Sequence, residues 1–216
     1  LATEMPHWNF DAYKKETEAN WNSELNKIEI QSDDLTEQKI FYTALYHSFL
    51  NPNTFSDCDS RYPAMDNEIH ANERHLAYSV FSLWDTFRST HPLFTITQQK
   101  RTEDFITTFL NHFLQGGKLP VWELAANETN CMIGYHAVSV ITDAYVKGIR
   151  GFNQKLALQA MVHSAMQSNL GLADYRKQGY ISSENESESV SKTLEYAYDD
   201  WCIAVFADSL GYDSLA

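Results

Sequence analysis

Residues 98–114 read QQKRTEDFITTFLNHFL. Phe105, Phe109 and Phe113 recur every four residues, and Ile106, Leu110 and Leu114 form a second row beside them. That spacing puts six large apolar side chains on one helical face, and Gly116-Gly117 supplies the stop. Residues 132–147, MIGYHAVSVITDAYVK, are apolar nearly all round, which marks an inner helix, and Gly148 follows. Working outward, Asn9 caps a helix predicted to reach about Ile30, with Phe10, Tyr13, Thr17, Trp21, Leu25 and Ile28 on one face. Asp34 followed by Glu37 has capping-box spacing and opens a helix to about Leu50. Further helices are predicted over 82–90, ending before Pro92, over 154–169 and over 189–210. Residues 52–77, 119–136 and 179–188 are predicted to be irregular. No segment alternates with period 2 over a useful length, so the predicted fold class is all-α.

Composition agrees. Eight Gly and five Pro in 216 residues are well below the usual shares of about 7% and 5%. A chain so poor in turn residues is not built from many short strands. Five Trp, twelve Tyr and twelve Phe supply ample buriable surface, which excludes a disordered chain. Sixteen Lys+Arg against 29 Asp+Glu leave a net charge of −13, which argues against nucleic acid and anionic membrane surfaces as partners. The longest apolar runs, 137–141 and 202–207, are far too short to insert in a membrane. Cys58, Cys131 and Cys202 stand far apart without a CxxC, so buried free thiols are predicted. The chain opens at Leu1 with no leader-like segment, compatible with a removed leader or with a piece of a longer protein.

Three places could carry chemistry. On the helix over 189–210, Val190, Leu194, Ala197 and Trp201 fall within about 60° of one another and are predicted to face the core. Glu195 and Asp199 lie opposite, one turn apart, and their stripe continues as Cys202 and Phe206. Either Lys192 neutralises a solvated patch, or two carboxylates form the polar floor of a sugar or cation site. The second place is LPVWELAANETNCMIGYH, residues 119–136, where Trp122, Glu123, Glu128 and His136 share an irregular stretch. A ring with paired carboxylates suits glycoside chemistry, with the ring as platform and the carboxyls as acid, base or hydroxyl acceptor. The plainer alternative is an acidic loop with Trp122 tucked into the core. The third is Trp84-Asp85-Thr86-Phe87-Arg88, which could set a ring and a carboxylate against a ligand. Alternatively, Asp85 and Arg88 simply pair at i, i+3. HExxH, GxGxxG, GxxxxGK[ST] and GxSxG are all absent, so zinc-protease, nucleotide and nucleophile-elbow readings have no support. Calcium stays open, because oxygen ligands leave no short signature outside the EF-hand.

Four runs, FYTALYHSFLNPNTFSDCDSRY, FSLWDTFRSTHPLFTI, GGKLPVWELAANETNCMIGYHAVSVITDAYVKGI and ESVSKTLEYAYDDWCIA, together resemble the catalytic domain of glycoside hydrolase family 92. These are calcium-dependent, inverting exo-α-mannosidases acting on N-glycans and related mannosides. The resemblance runs from the opening LATEMPHWNFDAY to Leu210. It implies an (α/α)6 toroid preceded by a β-sandwich, and a secreted, periplasmic or cell-surface location. It also implies Glu128 as the general acid, with Glu123 as second choice. Trp84, Asp85, Arg88, Trp122, His136, Glu195 and Asp199 would line the mannose pocket. Calcium would be the cofactor, with its ligands unassigned.

Against the family pattern, Asp59-Ser60-Arg61-Tyr62 followed by Pro63 replaces a DGRY-type loop, which leaves the linkage preference open. The family's Asp-rich base motif does not occur before Ala216. Residues 1–216 therefore read as an interior segment of the catalytic domain, without its β-sandwich and its C-terminal part. Such a segment would contact those parts of the same protein and be inactive alone. The competing reading is a non-catalytic mannose-binding or structural helical module of the same shape.

Overall fold

The computed structural model describes residues 3–212. Among them nine helices form the body. Helix α1 (Phe10–Leu25) starts where Asn9 accepts the Ala12 amide proton. Helix α2 (Leu35–Ser48) starts where Asp34 accepts that of Thr36. The capping box does not close, because Glu37 takes the Ser32 hydroxyl instead. Helix α1 buries none of its residues, and Phe10 is 76% exposed, so its predicted face has no core beneath it.

The central helix α5 (Gln99–Gly116) ends at Gly117 in the left-handed conformation, as the Gly-Gly stop requires. Phe105, Ile106, Phe109 and Leu110 point inward, while Leu114 stays exposed. Around α5 pack α6 (Ala137–Val146), buried along most of its length as expected, and α7 (Gln154–Ala165). Helix α9 (Ser189–Ser209) lies across α6 and α7. Two helices were not foreseen. The stretch over 82–90 divides into α3 (Leu83–Thr86) and α4 (Thr90–Thr97). Pro92 sits in the first turn of α4, where its missing N–H costs nothing, and begins a helix instead of preventing one. Helix α8 (Leu172–Gln178) lies between two left-handed glycines, Gly171 and Gly179.

The all-α expectation holds for the body and fails locally. The irregular stretch 52–77 is stapled by β1 (Asn53–Thr54), paired with β4 (Tyr78–Ser79), and by β2 (Arg61–Pro63), paired with β3 (Ile69–Ala71). A three-stranded sheet joins β5 (Phe81–Ser82), β6 (Trp122–Leu124) and β7 (Asn127–Glu128), all antiparallel. None exceeds three residues, too short for alternation to register in sequence.

Helix α9 reverses the predicted orientation. Val190, Leu194 and Trp201 are 73%, 67% and 60% exposed, whereas Tyr196, Asp199, Cys202, Ile203 and Phe206 are buried. Both arcs are apolar enough to be a core face; the inner one is that on which Asp199 finds partners. Lys192, itself buried, pairs with Glu186 and Glu188 and not with the site carboxylates. Of the cysteines only Cys202 is buried; Cys58 and Cys131 are exposed.

Candidate active site

The β5–β6–β7 sheet brings two of the candidate segments together. Ser82, which precedes α3, sits opposite Trp122, and Phe81 sits opposite Glu123. Glu123 in turn faces Glu128 across a hairpin whose turn residues, Ala125 and Ala126, both have positive φ. A turn of this type normally asks for Asn-Gly, so the hairpin carries no sequence signal. Trp122 is half-buried on this sheet, between the platform and core alternatives.

Helix α3 aims the third segment at α9. Arg88 donates to the Trp84 carbonyl at 2.8 Å and to Glu195 Oε1 at 2.7 Å, and its guanidinium lies 4.3 Å above the Phe87 ring centroid. The expected Asp85–Arg88 pair does not form. Asp85 instead accepts the Ser82 hydroxyl and remains exposed to solvent.

Behind Glu195 the chain of polar groups goes inward. His136 Nε2 lies 3.2 Å from Glu195 Oε2, off the line of a hydrogen bond, and has no other partner among the described residues. His136 Nδ1 meets Asp199 Oδ1 at 2.8 Å, and Asp199 Oδ2 accepts the Tyr135 amide at 2.8 Å. Both side chains are sealed from solvent. Burial drives the Asp199 carboxyl above the ordinary Asp range, opposed by its bond to His136. Phe87 stacks on the imidazole at 3.9 Å. A Cβ at position 134 would come within 2.3 Å of His136 Nε2, and φ there is +83°, so only Gly134 lets the ring sit here.

An open cleft of about 440 Å³ lies over this chain, lined by Arg88, Glu195, Phe87, Tyr198, Ser139 and Asp143. The last three were missed in the sequence. Ser139 and Asp143 follow His136 at i+3 and i+7 along α6, and Tyr198 follows Glu195 at i+3, so helical spacing from a candidate was the usable signal. A larger cleft of about 620 Å³ beside α1 contains none of the candidate residues.

Both glutamates of the hairpin are hydrogen-bonded within the protein. Both oxygens of Glu128 are engaged by backbone amides, those of Val121, Trp122 and Asn130, at 2.7–3.1 Å. Glu123 is 0% exposed, with Oε1 held by Ser79 and Ala126. Burial raises its carboxyl to about 7, against the pull of the Ala126 amide and the Ser79 hydroxyl. The folded state thus holds this proton more tightly than the unfolded chain. Its contribution to stability is fully present below pH 4.5 and is lost as pH rises through 7, a change of about 3 kcal/mol from this group. Glu123→Gln is expected to flatten that window; denaturant titrations of both forms at pH 5 and pH 8 check it.

Among the described residues no three His, Cys, Asp or Glu side chains converge as a metal cradle. No step is assigned to calcium.

A sequence profile of the glycosyl hydrolase family 92 catalytic domain matches residues 1–216. A family GH92 alpha-mannosidase from Bacteroides thetaiotaomicron, also solved with mannoimidazole, is 43% identical with a TM-score of 0.95, over 99% of this chain and 29% of its own. An inverting family GH92 mannosidase from the same organism is 32% identical with a TM-score of 0.93, over 99% of this chain and 30% of its own. An uncharacterized secreted glycosidase of Arthroderma benhamiae is 23% identical over 95% of this chain and 25% of its own. The chain thus spans between a quarter and a third of these relatives.

Proposed function

The chain belongs to glycoside hydrolase family 92, and on that premise we propose that it forms the mannose-gripping wall of an exo-α-mannosidase. In this reading it is one section of an (α/α)6 toroid, completed by a β-sandwich and by the C-terminal part of the catalytic domain. The observation that carries the proposal is the Arg88–Glu195–His136–Asp199 chain beneath an open cleft. A neutral sugar needs planar donors and acceptors held in place by groups out of reach of water. Arg88 and Glu195 supply them and Tyr198 offers a ring face, whereas Trp84, Asp85 and Trp122 lie outside the cleft lining. His136 and Asp199 lie buried behind Glu195, with His136 Nε2 3.2 Å from its carboxylate.

The relative described as inverting supports an inverting mechanism, in which one carboxyl protonates the leaving oxygen and another activates water. Glu128, the carboxyl the family resemblance marks, is the proposed proton donor, and the base is placed outside these residues. Calcium would likewise take its ligands from the remainder of the domain. N-glycan mannosides are the substrate this reading favours, and a secreted or cell-surface setting accords with the relative described as secreted.

The isolated 216-residue chain is then expected to release no mannose above background, since loss of the general base alone costs about 10²–10⁴-fold. Mannose release from an α-mannobiose, followed enzymatically, checks this. A rate matching the complete protein would mean that both carboxyls lie within the chain.

A further inference from the structure

Two segments that carry the proposed site, 83–88 and 122–128, are joined by one buried knot. The Ser79 hydroxyl donates to Glu123 Oε1 at 3.1 Å and accepts the Ala125 amide at 2.7 Å. Glu123 Oε1 also accepts the Ala126 amide at 2.6 Å, and Oε2 faces protein with no partner among the described residues. Around this knot three non-glycine residues hold positive φ: Val80 at 69°, Ala125 at 50° and Ala126 at 61°. For a β-branched valine that conformation is strained, and strained residues persist only where their surroundings over-determine them. Val80 is the residue between β4 and β5, so its backbone sets where Ser82 and helix α3 begin. Ala125 and Ala126 set where Asn127 and Glu128 return.

We infer that Glu123 is a positioning residue: its buried carboxyl, with Ser79, fixes the offset between the Trp84–Arg88 helix and the Trp122–Glu128 hairpin. It touches no substrate, being sealed from solvent. The inference rests on the mannosidase reading. It assigns to Glu123 a part in that reaction different from proton donation, and the two parts have opposite signatures.

The test uses the complete protein with Glu123→Ala, Glu123→Gln and Ser79→Ala, on 4-nitrophenyl α-mannoside and on an α-linked mannobiose. The nitrophenolate leaves without protonation, so a lost acid spares the first substrate and not the second. A lost strut moves the gripping groups and affects both alike, by roughly 100-fold in kcat/KM for a displacement near 1 Å. Glu123→Ala is expected to lose that much on both substrates, with mannoimidazole binding weakened in parallel. Glu123→Gln keeps the acceptor for Ser79 and Ala126 and is expected to recover to within about tenfold. Rates are taken per folded protein, so simple loss of stability does not move them. Unchanged kcat/KM in Glu123→Ala, or a Glu123→Gln defect confined to the mannobiose, overturns the inference. A wild-type protein inert on both substrates overturns the mannosidase reading and takes the inference with it.

Discussion

Replacing Asp199 with Ala is expected to destabilise the protein by about 4 kcal/mol, the largest stability effect of any single change in the site. The side chain is wholly buried, and both oxygens are used, one by His136 and one by the Tyr135 amide. Removing it orphans two buried polar groups, each worth about 1–3 kcal/mol, and leaves a cavity as well. Breaking a buried pair by deleting one partner falls in the same range, about 3–5 kcal/mol. Asp199→Asn preserves volume and one acceptor, and is expected to lose about half as much. Denaturant unfolding of the complete protein measures both, with hydrogen exchange at the Tyr135 amide as the local probe. A loss under about 1 kcal/mol for Asp199→Ala would mean that the buried bonds are not made.

The largest functional effect is expected at Arg88. Its guanidinium spans the Trp84 carbonyl and Glu195 while covering Phe87. Hydrogen bonds to charged groups are worth about 1.5–3 kcal/mol, so Arg88→Ala is expected to lower kcat/KM on mannosides by about 100-fold in the complete protein. Arg88→Lys keeps the charge but not the fork that joins both acceptors, and most of the loss should remain. Glu195→Ala should cost a similar factor. Because the two residues act as one unit, the double variant should lose much less than the product of the single losses. Full additivity would show that Arg88 and Glu195 work independently.

The helices were largely legible because their signals are local. The paired rows of α5 and the all-round apolarity of α6 depend only on spacing, and both helices occupy the core as expected. Caps at Asn9 and Asp34 were equally readable. What failed depends on partners distant in sequence. Helix α9 offers two apolar arcs, and nothing in its own residues says that Asp199 would meet His136, 63 positions away, so the wrong arc was assigned to the core. The Glu123–Glu128 hairpin turns on Ala125-Ala126, residues that give no turn signal, and its strain is stabilised by Ser79, 44 positions from Glu123. The candidate segments stood out in the sequence as charged or aromatic groups on otherwise apolar or irregular stretches. Their hydrogen-bond partners did not, since a glutamate in sequence does not reveal which amides will donate to it. Glu128 is the case in point: its motif position marks it as the acid, and nothing in the sequence shows that the amides of Val121, Trp122 and Asn130 would donate to it.

The central claim is that the cleft over Arg88 and Glu195 holds the non-reducing mannose. A crystal structure of the complete protein with mannoimidazole tests it most directly. The expected result is a ring whose hydroxyls lie within hydrogen-bond distance of Asp85, Arg88 or Glu195, with His136 and Asp199 behind them unmoved. A ring bound with all three of those side chains free of it would contradict the claim.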